Sequence, residues 1–206
     1  MEGKEFMLAE ISPKQVMELR QRTGVGMMEC KKALAESNGD IELAIETLRK
    51  RGAAKAASKA NRAASQGLVE AYIHPGGGVG VLVEVNCETD FVARTDDYAA
   101  LVRNIAMHIA AMNPVAVRRE EIAPELASAE RAIFVEQVRA EGKPEAIVEK
   151  IVDGKMNKWY SETVLLEQPY VKDDKKSVGD LLEEAIAKMG ENIQVRRFAK
   201  FRLGQD

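Results

Sequence analysis

The sequence has few of the residues on which metal sites, disulfide scaffolds and membrane spans depend. Its 206 residues include two cysteines, two histidines and one tryptophan. The cysteines and histidines lack the paired spacing of a zinc site, so we expect no metal, no cofactor and no disulfide framework. No apolar run approaches the about 20 residues that cross a membrane as a helix, and the first residues lack the pattern of a signal or transit peptide. We therefore expect a protein of the reducing cytoplasm with no membrane partner.

An excess of charge of one sign is also missing. The formal net charge is −3, with hydrophobic residues at 46% and charged residues at 31%. These fractions are typical of a folded globular chain. The balance argues against non-specific binding of nucleic acid by the whole chain, and we expect no direct nucleic-acid partner.

The N-terminal part predicts a three-helix domain at residues 11–52, behind a flexible tail at residues 1–10. Ser12 can cap the first helix, and the proline that follows suits its first turn. Apolar residues at helical spacing predict helices that begin at about Pro13, Met27 and Ile41. Gly52 is expected to end the third helix.

Residues 53–65 follow as a stretch rich in alanine and basic residues, without a large apolar face. Alanine and lysine favour helix, so we expect a partly helical linker. Such a helix serves either as a semi-rigid spacer between two binding surfaces or as a solvated connection with no other role.

The centre of the sequence predicts a β-hairpin on which the second domain, residues 66–206, is built. Two apolar runs flank a glycine-rich turn that contains Gly76, Gly77 and Gly78. Helical spacing then predicts helices that begin at about Asp96, Pro124, Ala146 and Ser177. We expect the first of these to end near Met112 and to bury one face, which includes Met112 itself.

The end of the chain predicts a third strand for this sheet. Apolar and polar residues alternate from Ile193 to Leu203, and the phase slips near Arg197, which indicates a bulge. Side chains expected to face inward are Ile193, Val195 and one or more of Phe198, Phe201 and Leu203. The predicted fold class is therefore α+β: a three-helix bundle, a linker helix, and a small antiparallel three-stranded sheet packed with helices.

Several candidate sites lack the chemistry that they would need. The run of glycines after Pro75 has no helix N-terminus behind it to hold a phosphate. His108 lies on an apolar helical face and is interpreted as a packed or interface histidine rather than a base or ligand. A nucleophile pair of Cys87 with His108 lacks a third, orienting group. We therefore expect no catalytic residues and no enzyme.

Two stretches carry a family resemblance. One runs from Asn86 to Arg94 and includes Thr89-Asp90-Phe91-Val92, and the other runs from Leu19 to Leu34. Both resemble signatures of elongation factor Ts, the guanine nucleotide exchange factor of elongation factor Tu, and the resemblance covers nearly the whole chain. It implies an N-terminal domain similar to the ubiquitin-associated fold and a role in translation elongation.

Phe91 has two interpretations from the residues alone. It either folds into the core beside a strand end, with Asp90 capping the next turn, or projects as an anchor into a partner's pocket. The resemblance implies the second interpretation, with Asp90 and Phe91 intruding near the magnesium of elongation factor Tu. Thr89 and Val92 match the same pattern.

The resemblance also implies a second contact with the same partner. It uses the segment from Thr23 to Met28, and the residues carried over are Arg20, Val25, Met27, Met28 and Lys31. Adjacent methionines on a helix point in different directions, so we expect one to be buried and one to face the partner.

The chain resembles the short form of the family, which lacks a second core subdomain and a coiled-coil insertion. We therefore expect a homodimer that rebuilds the missing subdomain. His108 then belongs near the contact that the later half makes with the partner.

Three other functions are compatible with parts of the sequence. A ubiquitin-associated-like adaptor would act through the N-terminal bundle alone. An RNA-binding ribosome accessory protein would bind in a strongly salt-dependent way. A thiol enzyme that used Cys87 would be inactivated by alkylation.

Overall fold

The computed structural model describes residues 11–205, and the predicted tail at residues 1–10 lies outside them. Within the described residues the chain forms two compact units. The first comprises residues 11–63 and 183–192, and the second comprises residues 64–182 and 193–205. The functional division into an N-terminal domain, a linker and a core stays a prediction.

The first unit contains three helices in the predicted order: α1 (Pro13–Thr23), α2 (Met27–Glu36) and α3 (Ile41–Lys59). The Ser12 side chain caps α1 by accepting a hydrogen bond from the Gln15 amide at 3.3 Å. Asp40 caps α3 in the same way, through the Leu43 amide at 3.0 Å. The three helices enclose a core of Val16, Leu19, Cys30, Ala33, Leu34, Ala44 and Leu48.

The predicted end of α3 at Gly52 is wrong, because the helix continues to Lys59. Gly52 is buried within this unit, where a Cβ at its position would lie 3.6 Å from the Ala187 Cβ. A glycine inside a helix costs about 1 kcal/mol relative to alanine, and close packing of a neighbouring segment can offset that cost. Half of the predicted linker is therefore regular helix.

In residues 64–205 the chain forms five strands and five α-helices. In chain order these are β1 (Gln66–Ile73), β2 (Val79–Cys87), α4 (Asp90–Ala93), α5 (Asp96–Met112), α6 (Pro124–Ala140), α7 (Glu145–Thr163), β3 (Pro169–Tyr170), β4 (Asp173–Ser177), α8 (Val178–Met189) and β5 (Gln194–Arg202). α8 is divided between the units: its residues up to Leu182 belong to the second unit and those from Glu183 belong to the first. None of the helices in residues 11–205 is long and apolar enough to cross a membrane.

The main sheet has the strand order β1-β2-β5, and every pairing is antiparallel. Glu84 pairs with Arg197 while the next residue, Val85, pairs with Val195, so Arg196 is an extra residue in β5. The predicted bulge is confirmed, and so is the α+β fold class with its small antiparallel sheet.

The inner face of the sheet packs against α5. Buried side chains on β2 are Val81, Val83, Val85 and Cys87, and those on α5 include Tyr98, Val102, Ile105 and Ile109. The Lys200 ammonium group on β5 donates hydrogen bonds to the carbonyls of Ile109 and Ala110, at 3.1 and 2.9 Å. A cation at these last carbonyls of α5 complements the helix dipole and ties the helix end to the sheet.

One expectation of burial is wrong, and the alternative left open for β5 is resolved. Met112 is 40% exposed, because α5 ends at Asn113 with a left-handed backbone and its last turn leaves the core. Of the three residues offered for the inner face of β5, Phe198 is half-buried and pairs with the buried Val83, whereas Phe201 and Leu203 are 69% and 87% exposed. The bulge at Arg196 and the period of two place Phe201 on the outer face of the sheet.

Candidate partner-binding site

The segment after β2 forms one tight turn of helix. Thr89 caps this turn, because its Oγ1 accepts a hydrogen bond from the Val92 amide at 3.4 Å. The Thr89 carbonyl accepts a second bond from the Ala93 amide at 3.3 Å. Ala93 is buried and fixes the C-terminal end of the turn to the unit. The strand end therefore passes directly into a short, capped turn.

Phe91 lies on the outer side of this turn and is 79% exposed. An apolar ring of this size is rarely left so accessible on a single-turn helix that is tied down at both ends. The interpretation that placed Phe91 in the core is wrong. The side chain has the geometry of a projecting anchor.

Asp90 begins the same turn and carries its charge on the surface. Its carboxylate is 46% exposed and lies 2.8 Å from the guanidinium group of Arg94, four residues later. An exposed pair of this kind contributes at most about 1 kcal/mol. Asp90 therefore remains accessible to a stronger cation.

Two residues that the sequence patterns did not single out hold the strand end in place. The Tyr98 hydroxyl, fully buried, donates to the Val85 carbonyl at 2.7 Å. Gly67 pairs with Asn86 at φ +143°, and a Cβ there would lie 2.1 Å from the Val85 oxygen. Only glycine can occupy that position without moving the strand. The glycine that opens β1 is the only sequence signal for this constraint.

The first unit presents the second set of candidate residues. Met28 is 78% exposed and Met27 is 38% exposed, so the expectation that one of them is buried is wrong. Arg20 and Lys31 are exposed, and Val25 is half-buried against the core of the bundle. The loop before α2 and the first turn of that helix therefore form an accessible surface of methionine with basic neighbours.

His108 is placed differently from the other candidates, because its side chain is fully buried. Its Nδ1 accepts a hydrogen bond from the Val171 amide at 3.2 Å, which leaves the proton on Nε2. Nε2 lies 2.9 Å from Oε1 of Gln168 and donates to it. Burial lowers the pKa of His108 below its ordinary value. The side chain is a packed, neutral histidine, and its role in partner binding stays a prediction.

Acid is expected to weaken the fold through His108. Because the folded-state pKa lies below the unfolded value of 6.5, the unfolded chain binds more protons below that pH. The stability that neutral His108 contributes is present above pH 6.5. It is lost as the pH falls from 6.5 toward the lower pKa of the folded state, by up to about 1.4 kcal/mol per pH unit.

Denaturant unfolding between about pH 7 and pH 5 measures this effect. His74 is exposed and is the only other histidine of the sequence, so His74→Gln is the matched control. This variant should keep the parental slope of unfolding free energy against pH. His108→Gln should flatten it. An equal slope in parent and His108→Gln would show that other groups cause the pH dependence.

The outer face of the sheet is a third accessible surface. Its exposed apolar side chains are Val69, Ile73, Leu82, Phe201 and Leu203. Gly80 pairs with Ile73 on one side and with Phe201 on the other. A groove of about 600 Å³ on this face is lined by Ile73, Leu82, Phe201, Leu203 and glycines that include Gly80. At one end of the face, Arg197 pairs with Glu84 at 2.7 Å. We call this surface the outer sheet face.

Residues 11–205 contain no cluster of three histidine, cysteine or acidic side chains that could hold a metal ion.

Comparison with known proteins identifies relatives over nearly the whole length. The family model described as elongation factor TS matches residues 38–205. A protein of Anaeromyxobacter sp. (strain K) named elongation factor Ts is 58% identical over 96% of this chain and 90% of its own. A protein of the same name from Thermosipho melanesiensis is 56% identical over 95% of this chain and 100% of its own. One from Heliobacterium modesticaldum is 57% identical over 95% and 91%.

Proposed function

Because the chain belongs to the elongation factor Ts family of translation elongation factors, we propose that it promotes the release of GDP from elongation factor Tu. The exchange takes place in the cytoplasm, where translation elongation occurs. The observation that carries this proposal is the projection of Phe91, 79% exposed, from a capped turn next to Asp90.

Phe91 enters an apolar pocket of the nucleotide domain in this mechanism. Burying a phenylalanine contributes about 1.5–3 kcal/mol, and aromatic anchors at the centre of an interface are common hot spots. Asp90, on the first residue of the same turn, then approaches the magnesium ion that holds the GDP phosphates. Weaker binding of that ion removes much of the positive charge that retains the nucleotide. Thr89 and Val92 hold the turn in shape through their hydrogen bond.

Exchange requires that the factor bind the empty partner more tightly than the GDP-bound partner, and this coupling is reciprocal. A 10⁴-fold shift in a two-state equilibrium needs about 5.5 kcal/mol. Phe91 alone supplies at most about half of that free energy. A second contact is therefore needed.

The exposed surface of the first unit supplies the second contact. Met28 and Met27 provide adaptable apolar area, and Val25 shapes the loop that precedes them. Arg20 and Lys31 provide exposed positive charge beside them, which would favour encounter with an acidic surface of the partner. No covalent or acid–base step is needed, so the chain acts by binding and is not an enzyme in this mechanism.

The outer sheet face forms a homodimer in this proposal. It is apolar across all three strands and contains the groove above Gly80. In a two-fold symmetric pair each protomer would place its Phe201 against the partner's groove. The ion pair of Glu84 with Arg197 at the end of the face would lie in the polar rim of the interface. Two copies would then form a two-layered sheet core.

Release of a fluorescent GDP analogue from elongation factor Tu tests the proposed function. We expect the chain to accelerate release strongly at micromolar concentration, with modest dependence on salt. No acceleration, together with binding by residues 11–63 alone, would favour an adaptor. An affinity of the chain for RNA that falls steeply between about 50 and 200 mM salt would favour the RNA-binding alternative.

A further inference from the structure

Both cysteines of the chain lie beneath a segment that carries a proposed partner contact. Cys30 and Cys87 are each 0% exposed, and neither forms a disulfide. Cys87 lies at the end of β2, two residues before the turn of Phe91. Cys30 lies on the first turns of α2, below the loop that leads to Met28. The two sites belong to different units, so each is argued separately.

The Cys87 thiol donates a hydrogen bond to the Thr89 carbonyl at 3.2 Å. The same carbonyl accepts the Ala93 amide, which closes the turn of α4. This carbonyl belongs to the peptide unit that leads into Asp90. The thiol therefore fixes, from inside the core, the orientation of the peptide from which Asp90 and Phe91 project.

The Cys30 thiol has an equivalent contact in the first unit. It donates to the Val25 carbonyl at 3.4 Å, while the Val25 amide donates to Thr23 Oγ1 at 3.4 Å. Both polar groups of the Val25 backbone are therefore held. Burial raises the pKa of the Cys30 thiol and keeps it protonated, as a donor must be.

The exposed side chains themselves cannot set their own direction. Phe91 and Met28 are 79% and 78% exposed, so core packing holds neither of them. Their positions follow from the backbone beneath them. A thiol suits this task because it packs as a small apolar group in the core and still offers a donor.

We propose that Cys87 and Cys30 are positioning residues, each of which orients the backbone of one partner-contact segment through its thiol donor. Cys87 places Asp90 and Phe91, and Cys30 places the loop before Met28. The inference rests on the proposed exchange function for its activity readout.

A double-mutant cycle on GDP release separates positioning from general stability. Cys87→Val fills the thiol's volume without a donor and should slow stimulated release about tenfold, because a displacement near 1 Å is costly for a docking group. In the Phe91→Ala background the same change should have less than about a twofold effect, since the positioned group is gone. Cys87→Ser keeps a donor and should restore most of the rate.

The second cysteine provides the matched comparison. Cys30→Val should lose its effect in a Met28→Ala background and keep it in a Phe91→Ala background. Cys87→Val should show the reverse pattern. The four double variants combine either cysteine change with Met28→Ala or with Phe91→Ala. If each cysteine change slowed release by the same factor in both backgrounds, the proposal would be overturned, because a loss of general stability does not depend on which contact residue is present.

Hydrogen exchange of backbone amides tests the positioning without the partner. The Ala93 amide should exchange at least about fivefold faster in Cys87→Val than in Cys87→Ser, with equal global stability in denaturant. The Val25 amide should respond in the same way to Cys30→Val. Unchanged exchange would refute the positioning role. If the parent fails to accelerate GDP release while the exchange of these amides changes in the cysteine variants, the exchange function is refuted and the thiol's control of the turn stands.

Discussion

Replacing Phe91 with alanine is expected to slow stimulated GDP release by about 10-fold to 150-fold, which corresponds to the 1.5–3 kcal/mol of a buried phenylalanine. The ring is 79% exposed in the free chain, so its removal should leave the free energy of unfolding within about 0.5 kcal/mol of the parent. Stopped-flow release of a fluorescent GDP analogue and denaturant unfolding measure the two quantities.

Leu126→Ala is the matched control for this variant. Leu126 is also an exposed apolar side chain, 47% accessible, and lies on α6 outside every proposed contact. The Leu126→Ala variant should stimulate GDP release at the parental rate. Equal rates for the parent and for Phe91→Ala would keep the exchange function but remove Phe91 as its anchor.

A charge placed on the outer sheet face should abolish the homodimer. In a two-fold pair, Phe201→Asp puts two carboxylates into one apolar interface, and each buried unpaired charge costs several kcal/mol. We expect the dissociation constant to rise more than about 100-fold. Phe201 is 69% exposed, so each protomer should remain folded. Sedimentation equilibrium at micromolar concentration measures the change.

Ile133→Asp provides the control, because Ile133 is a comparably exposed apolar residue on α6, 47% accessible, away from that face. It should sediment as the parent does. A parent that sediments as a monomer at micromolar concentration contradicts the dimer proposal. A Phe201→Asp variant that remains a dimer would place the interface elsewhere on the chain.

The elements that follow from local pattern agree well with the sequence. The helix predicted from Asp96 to Met112 has those bounds in the structure, because Thr95 caps its start and the apolar spacing is continuous. The bulge of β5 was visible as a break in a period-two pattern. Gly52 shows the limit of such reasoning, since its low helix propensity is a smaller effect than the packing of its neighbours.

Burial at the edges of elements did not follow from the pattern. Met112 and Phe201 each fit an inward position in their local spacing, yet both are exposed. The short pair β3–β4 was also unforeseen, because a two-residue strand such as β3 has no period to detect. These outcomes depend on where an element leaves the core.

The sequence by itself determined the family, the order of helices and strands, and the residue types of the candidate contact, because these depend on local spacing and on contiguous motifs. Only the tertiary structure decided which of those side chains are accessible. Phe91 projects because a thiol, a threonine cap and Tyr98 hold the strand end against the core. His108 is enclosed because residues some 60 positions away complete its hydrogen bonds. Contacts between segments so distant in sequence leave no periodic trace in the chain, and they set the direction of each side chain.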